Sequence, residues 1–126
     1  MKTERIFSII LIISSLFFIQ CKNQDLYKTK ILNPTYKIYD ISGERGYNVH
    51  FSLENPENGV KAVAVAVNGI KQKIADSNNG RYQVNVISES RKIAGYRPQT
   101  TTESNGIWLT KGEREIFLPV DFKLEN

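Results

Sequence analysis

The chain has 126 residues with 17 basic and 13 acidic side chains, and its formal net charge at pH 7 is +4. This length predicts a single domain, and the two kinds of charge are interspersed without a run of five like charges, which excludes a dedicated nucleic-acid-binding surface. The single cysteine excludes an internal disulfide and a cysteine-based zinc site.

The N-terminal residues 1–20 have the organisation of a secretion signal peptide. Lys2 and Arg5 make a short basic leader, and residues 6–19 are apolar apart from three serines. A basic leader followed by an apolar stretch of this length is typical of exported proteins. As a helix, residues 6–19 would extend about 21 Å, which is shorter than the roughly 30 Å hydrocarbon core of a bilayer. We therefore expect a signal rather than a permanent membrane span.

Cys21 lies at the end of this signal and precedes a polar segment. The sequence Phe18-Ile19-Gln20-Cys21 resembles the lipobox of bacterial lipoproteins, in the relaxed form of the Bacteroidetes type. The usual box has leucine where this chain has Phe18 and a small residue where it has Gln20. The resemblance implies that the Cys21 thiol, a soft nucleophile able to form a thioether, carries the lipid and becomes the first mature residue. The alternative is an uncleaved signal anchor with an incidental cysteine.

The same resemblance implies a location and a first partner, the membrane, reached through the lipid anchor. Lys22 directly after the cysteine favours the outer membrane, and a periplasmic protein anchored in the inner membrane is the alternative. The mostly polar residues 21–35 predict a tether, which leaves a domain over residues 36–126.

Within that domain, apolar and polar residues alternate in short segments separated by turn residues. This period of two is typical of half-buried strands. The predicted strands are 36–41, 46–53, 60–67, 70–75, 81–88, 107–109 and 115–125.

Three of these segments carry more specific information. Residues 60–67 have valines on one face and alanines on the other, which predicts a central strand whose alanine face is covered. Asn68-Gly69 predicts a hairpin with a type I′ turn. Pro119 has no N–H to donate to a ladder, so the last strand is expected at a sheet edge or at a bulge.

Six or seven short strands over about 100 residues predict an all-β fold. We expect an antiparallel two-sheet sandwich, immunoglobulin-like in outline, with a small β-barrel as the alternative.

Few residues are of the types and spacings that indicate catalysis or metal binding. His50 is the only histidine and lies on the polar face of its strand, where a structural or solvated role is expected. Glu113 and Glu115 flank Arg114 and are interpreted as a solvated turn, since paired catalytic carboxylates must converge across a cleft. The sequence contains no phosphate loop, nucleophile elbow or metal-binding motif. We therefore expect no catalytic residues, no metal and no cofactor.

Residues 94–106 form a segment without either period, and long aperiodic connections in small domains are often functional. It contains Tyr96 and Arg97, residue types enriched at binding hot spots. The segment is a candidate recognition loop for an envelope protein or glycan, or else a flexible connector. The sequence thus favours a lipid-anchored envelope protein that is a non-catalytic binding or structural module, with a small surface-exposed or periplasmic hydrolase as the alternative.

Overall fold

The computed structural model describes residues 24–75 and 77–125. They form a four-residue helix, α1 (Gln24–Tyr27), a short 3-10 helix (Pro56–Asn58) and nine strands. The strands are β1 (Ile31–Ile41), β2 (Glu44–Leu53), β3 (Lys61–Val67), β4 (Ile70–Lys73), β5 (Arg81–Ser90), β6 (Gln99–Thr100), β7 (Gly106–Lys111), β8 (Arg114–Pro119) and β9 (Lys123–Leu124).

The strands form two sheets that pack face to face. Sheet 1 has the order β5-β2-β1-β9 and sheet 2 the order β6-β4-β3-β7-β8. Neighbouring strands are antiparallel, except that β9 runs parallel to β1. The hairpin β1–β2 lies in sheet 1 and the hairpin β3–β4 in sheet 2, after which β5 returns beside β2 and β7 crosses to lie beside β3. This strand connectivity is immunoglobulin-like in outline. The predicted two-sheet sandwich is therefore confirmed, and the alternative of a small β-barrel is wrong.

The hydrophobic core lies between the sheets and is made by alternate residues of the central strands. Val49 and Val86 of sheet 1 are fully buried, as are Val65, Ile107 and Leu109 of sheet 2. Each such side chain contributes about 1.5–3 kcal/mol when it is withdrawn from water. The period of two in the sequence therefore determines which face of each sheet points inward.

The alanine face of β3 is also buried at Ala64 and Ala66, as the sequence predicts, whereas a register shift between Ala62 and Ala64 places Ala62 in the main core instead. Ala64 and Ala66 point away from the main core yet are only 3% and 0% exposed. Trp108 lies opposite Ala64 on the neighbouring strand and packs against Phe117 with ring centroids 4.7 Å apart. The ammonium of Lys71 lies 4.5 Å from the centroid of the Trp108 ring. Side chains of adjacent strands, rather than another layer of structure, thus cover this face.

The β3–β4 hairpin has the predicted turn. Val67 pairs with Ile70, and the two residues between them have φ angles of 51° at Asn68 and 78° at Gly69. Positive φ at both central positions defines the type I′ turn, which matches the twist of the flanking strands. The prediction from Asn68-Gly69 is confirmed.

Two strand predictions differ from the structure. β1 begins at Ile31, whereas the sequence predicts a strand only over 36–41. The predicted strand 115–125 is two strands, because β8 ends at Pro119 on the edge of sheet 2 and β9 belongs to sheet 1. The edge position of Pro119 agrees with its missing N–H. The chain changes sheets between these two strands.

A hydrogen bond joins the two sheets through Tyr82 of β5. The backbone N–H of Ala62 in β3 donates to the Tyr82 hydroxyl oxygen at 3.2 Å, and the contact is buried. The register of β3 shifts between Ala62 and Ala64. The Tyr82 ring stacks on Phe51 with centroids 4.8 Å apart. A buried N–H must find a partner, and here a side chain of the opposite sheet supplies it.

The type I′ turn makes Gly69 sensitive to substitution. We expect Gly69→Val to lower the free energy of unfolding by about 1–3 kcal/mol, because a β-branched residue at positive φ is strained. Gly69→Asn is the matched control and should cost less, since asparagine tolerates the left-handed region. Denaturant unfolding of the two variants measures the difference, and equal stabilities would contradict this account of the turn.

Candidate functional site

The first described residues are folded onto the sandwich, although the sequence predicts a tether over residues 21–35. Leu26 of α1 is fully buried and belongs to the main hydrophobic core. Thr29 donates its N–H to the Leu26 carbonyl oxygen at 3.1 Å, and β1 follows at Ile31. From Gln24 onward the chain is therefore part of the domain.

Asp25 joins α1 to the turn between β7 and β8. Its two carboxylate oxygens accept hydrogen bonds from the Arg114 guanidinium at 2.9 and 3.0 Å, and the Lys111 ammonium lies 3.4 Å away. This bidentate geometry fixes the orientation of the Arg114 guanidinium relative to the Asp25 carboxylate as well as the distance between them. The hydrogen bonds from Arg114 are the main cause that lowers the pKa of Asp25 below the ordinary value of 3.8, and its positive charge and Lys111 act in the same direction against partial desolvation.

Cys21, the predicted lipid attachment residue, lies outside the described residues. Within 24–75 and 77–125, no helix is long and apolar enough to cross a membrane. The described part of the chain begins at Gln24, three positions after Cys21.

The candidate loop 94–106 lies at the end of the sandwich opposite to α1 and is held there by backbone contacts. β6, which is part of this segment, pairs with β4. Thr101 donates its N–H to the Gly69 carbonyl oxygen at 2.9 Å, and Gly69 donates its own N–H to the Ser104 carbonyl oxygen at 3.0 Å. The Asn105 side chain accepts from the Asn68 N–H at 3.0 Å. These hydrogen bonds attach the segment to the type I′ turn at Asn68 and Gly69. The sequence predicts the turn but does not indicate this attachment.

Tyr96 and Arg97 have different environments in this loop. Tyr96 is half-buried and its hydroxyl donates to the Ile87 carbonyl oxygen of β5 at 3.0 Å. Because β5 is an edge strand of sheet 1, Tyr96 occupies an acceptor that would otherwise be open to another strand. Arg97 is exposed, and no partner of its side chain is found in the part of the chain that the structure describes. Of the two predicted recognition residues, Arg97 is the one free to meet a partner.

Tyr39 lies in the same region. Its hydroxyl donates to a carboxylate oxygen of Glu44 at 2.9 Å. Burial of the Tyr39 hydroxyl is the first cause that raises its pKa to about 12, followed by the hydrogen bond to Glu44 and the Glu44 charge, with a smaller effect of Tyr96. The raised pKa keeps Tyr39 in its protonated form, which donates to Glu44, further into the alkaline range than an ordinary tyrosine.

His50 lies on the outer face of sheet 1, opposite Thr35 of β1 and Gln83 of β5. It lines an open groove of about 480 Å³ together with Lys37 and Arg81. Among the described residues no hydrogen bond links the His50 ring to a serine hydroxyl or to a carboxylate, so no serine–histidine pair is seen in this part of the chain. The two carboxylates noted in the sequence, Glu113 and Glu115, are both exposed.

The described residues contain no group of three or more histidine, cysteine or acidic side chains that could hold a metal ion. Comparison of the chain with protein-family models, with curated proteins and with solved structures gave no match.

The sequence reasoning missed Asp25, Leu26, Tyr39 and Arg114. Asp25 and Arg114 are 89 residues apart in sequence, and no local pattern links them. Leu26 is a single apolar residue in a polar segment, which gives no periodic signal.

The Asp25 contacts predict a pH dependence. A carboxyl group whose pKa is lowered by folding stabilises the fold at pH values above its unfolded pKa, and that contribution is lost as the pH falls below the ordinary value of 3.8. Asp25→Asn should therefore lower the free energy of unfolding at pH 7. The difference in this free energy between the variant and the unmodified chain should shrink toward roughly pH 2–3, because carboxyl groups become protonated over that range.

Thermal unfolding at a series of pH values measures this dependence. Glu113→Gln is the matched control, because Glu113 is an exposed carboxylate of the turn next to Arg114. Equal pH profiles for the two variants would show that the Asp25 contacts do not contribute.

The contrast between Tyr96 and Arg97 predicts separable effects on stability. Tyr96→Phe should lower the free energy of unfolding by about 0.5–1.5 kcal/mol through loss of the hydrogen bond to Ile87. Arg97→Ala should change it by no more than about 0.5 kcal/mol, as is usual for an exposed side chain. Denaturant unfolding tests both, and a large loss in Arg97→Ala would mean that the arginine is a structural residue.

Proposed function

We propose that the chain is a lipid-anchored protein of the cell envelope whose folded part is a non-catalytic binding or structural module. The N-terminal organisation carries this proposal: a basic leader, the apolar residues 6–19 and Cys21 at the end of a lipobox-like sequence. The sole thiol stands at the position where lipid attachment requires one. The outer membrane is the proposed site of anchoring, with Lys22 following the cysteine.

The orientation of the sandwich supports a display function. α1 contacts the turn between β7 and β8 at one end, and loop 94–106 contacts the turn between β3 and β4 at the other. β3 spans the distance between these ends, which is about 20 Å at 3.3 Å per residue. An anchor attached near α1 would hold the domain with loop 94–106 directed away from the lipid.

Loop 94–106 is the surface that we propose for a partner, an envelope protein or a glycan. It is held in one conformation by its backbone contacts to Asn68 and Gly69, so little conformational entropy would be lost on binding. Its exposed Arg97 offers five hydrogen-bond donors to carboxylates or hydroxyl groups.

Lipid attachment is tested with Cys21→Ser in the full-length chain. In the unmodified chain we expect incorporation of labelled palmitate and recovery with the membrane fraction. The variant should lose the label and leave that fraction, because a serine hydroxyl does not form the thioether.

Glu113→Gln serves as the control for expression and export, since it leaves the N-terminal sequence intact. Retention of the Cys21→Ser variant in the membrane fraction would support the uncleaved signal anchor instead. Absence of labelled fatty acid from the unmodified chain would overturn the proposal.

A further inference from the structure

The α1 end of the sandwich, defined here by Tyr27, Lys28, Lys30 and the neighbouring Asn55, carries an exposed aromatic ring and two exposed cations. Tyr27 is 56% exposed, although the preceding residue, Leu26, is fully buried. Lys28 and Lys30 are exposed, and neither forms an ion pair with a carboxylate of the described residues. An aromatic ring beside lysines is the combination that proteins use at the interface between water and lipid headgroups.

The position of this end relative to Cys21 is restricted. Two residues lie between Cys21 and Gln24, and the three Cα-to-Cα steps that join them reach at most about 11 Å. α1 itself is fixed to the sandwich by the burial of Leu26 and by the contacts of Asp25 with Arg114 and Lys111. A lipid on Cys21 would therefore keep the start of α1 within about 11 Å of the membrane surface, a distance close to the screening length of roughly 8–10 Å at physiological salt, and Lys28 and Lys30 follow in the same segment.

The acidic groups nearest to α1 do not form ion pairs with Lys28 or Lys30. Glu54 is the acidic residue next to Lys30, to whose carbonyl oxygen it donates its N–H at 3.2 Å. Asp25 is engaged by Arg114 and Lys111 on the side of the β7–β8 turn. Lys28 and Lys30 thus have no carboxylate partner among the described residues and are available to an anionic lipid surface.

We infer that the α1 end docks on anionic lipid, with Tyr27 at the headgroup level and Lys28 and Lys30 on acidic headgroups. The inference rests on the proposed lipid anchor, and it adds a second contact that orients the domain. Basic residues beside a lipid anchor add electrostatic attraction to anionic headgroups. Docking of this end turns loop 94–106 away from the bilayer.

The orientation is measured on the acylated full-length chain reconstituted into vesicles. Because Cys21 is the only cysteine and is blocked by its lipid, a fluorophore can be placed on a single new cysteine. Asn55→Cys labels the α1 end and Thr102→Cys labels the loop end, and both positions are exposed. A quencher carried on lipid headgroups then reports which end contacts the surface.

In vesicles containing about a third anionic lipid we expect quenching at position 55 and none at position 102. Each lysine near an anionic surface changes a docking equilibrium by about fivefold. The double variant Lys28→Glu, Lys30→Glu should therefore reduce the ratio of docked to undocked domain by at least roughly tenfold, and Tyr27→Ala should reduce it further. Arg91→Glu, Lys92→Glu makes the same charge change at the loop end, where both side chains are exposed, and should have no effect.

The outcomes separate this inference from the proposed function. An acylated chain with equal quenching at positions 55 and 102, or with quenching that does not depend on anionic lipid, overturns the docked orientation and leaves the lipid anchor in place. A chain that carries no fatty acid overturns the anchor and the orientation together. Loss of quenching in the distal control variant to the same extent as in the double lysine variant also contradicts a contact made by Lys28 and Lys30.

Discussion

The packing of the two inner sheet faces against each other is the constraint on which the rest of the molecule depends. Each sheet has one apolar face, and neither face is removed from water unless the other covers it. Val49 of sheet 1 and Val65 and Ile107 of sheet 2 are fully buried by this contact. The hydrogen bond from Ala62 to Tyr82 crosses the same space. Both ends of the sandwich, with their different exposed groups, are therefore held at a fixed separation.

The N-terminal segment takes part in this core. Leu26 extends the buried cluster beyond the strands, so the beginning of the folded chain has one defined position on the sandwich. A flexible tether would allow the domain to take many orientations relative to the membrane. With α1 packed on the sandwich, the chain from Gln24 onward has one position relative to the sheets. The direction in which loop 94–106 points would then follow from the structure of the domain rather than from a linker.

Local signals in the sequence predict the features that local chemistry determines. Asn68-Gly69 specifies its turn because positive φ is required at both positions, and Pro119 specifies an edge because it lacks an N–H. The continuous alternation over 115–125 could not reveal that the chain changes sheets, since residues in either sheet alternate in the same way. The strand of residues 31–35 and the partners of Asp25 depend on contacts with distant segments. The exposure of Arg97 and the hydrogen bond from Tyr96 to Ile87 likewise depend on how loop 94–106 lies against β5, which no local pattern specifies.

Two interactions fix α1, and they differ in kind. Burial of Leu26 is not directional and is not weakened by ionic screening, and withdrawal of a leucine side chain from water contributes about 1.5–3 kcal/mol. The contacts of Asp25 with Arg114 and Lys111 lie at the surface, with side chains that are a third to nearly a half exposed, so water and salt weaken them. Leu26 therefore keeps α1 on the sandwich, whereas the paired hydrogen bonds from Arg114 set its rotation. Since that rotation decides where Tyr27 and Lys28 point, high salt would loosen the orientation of the α1 end before it released the helix.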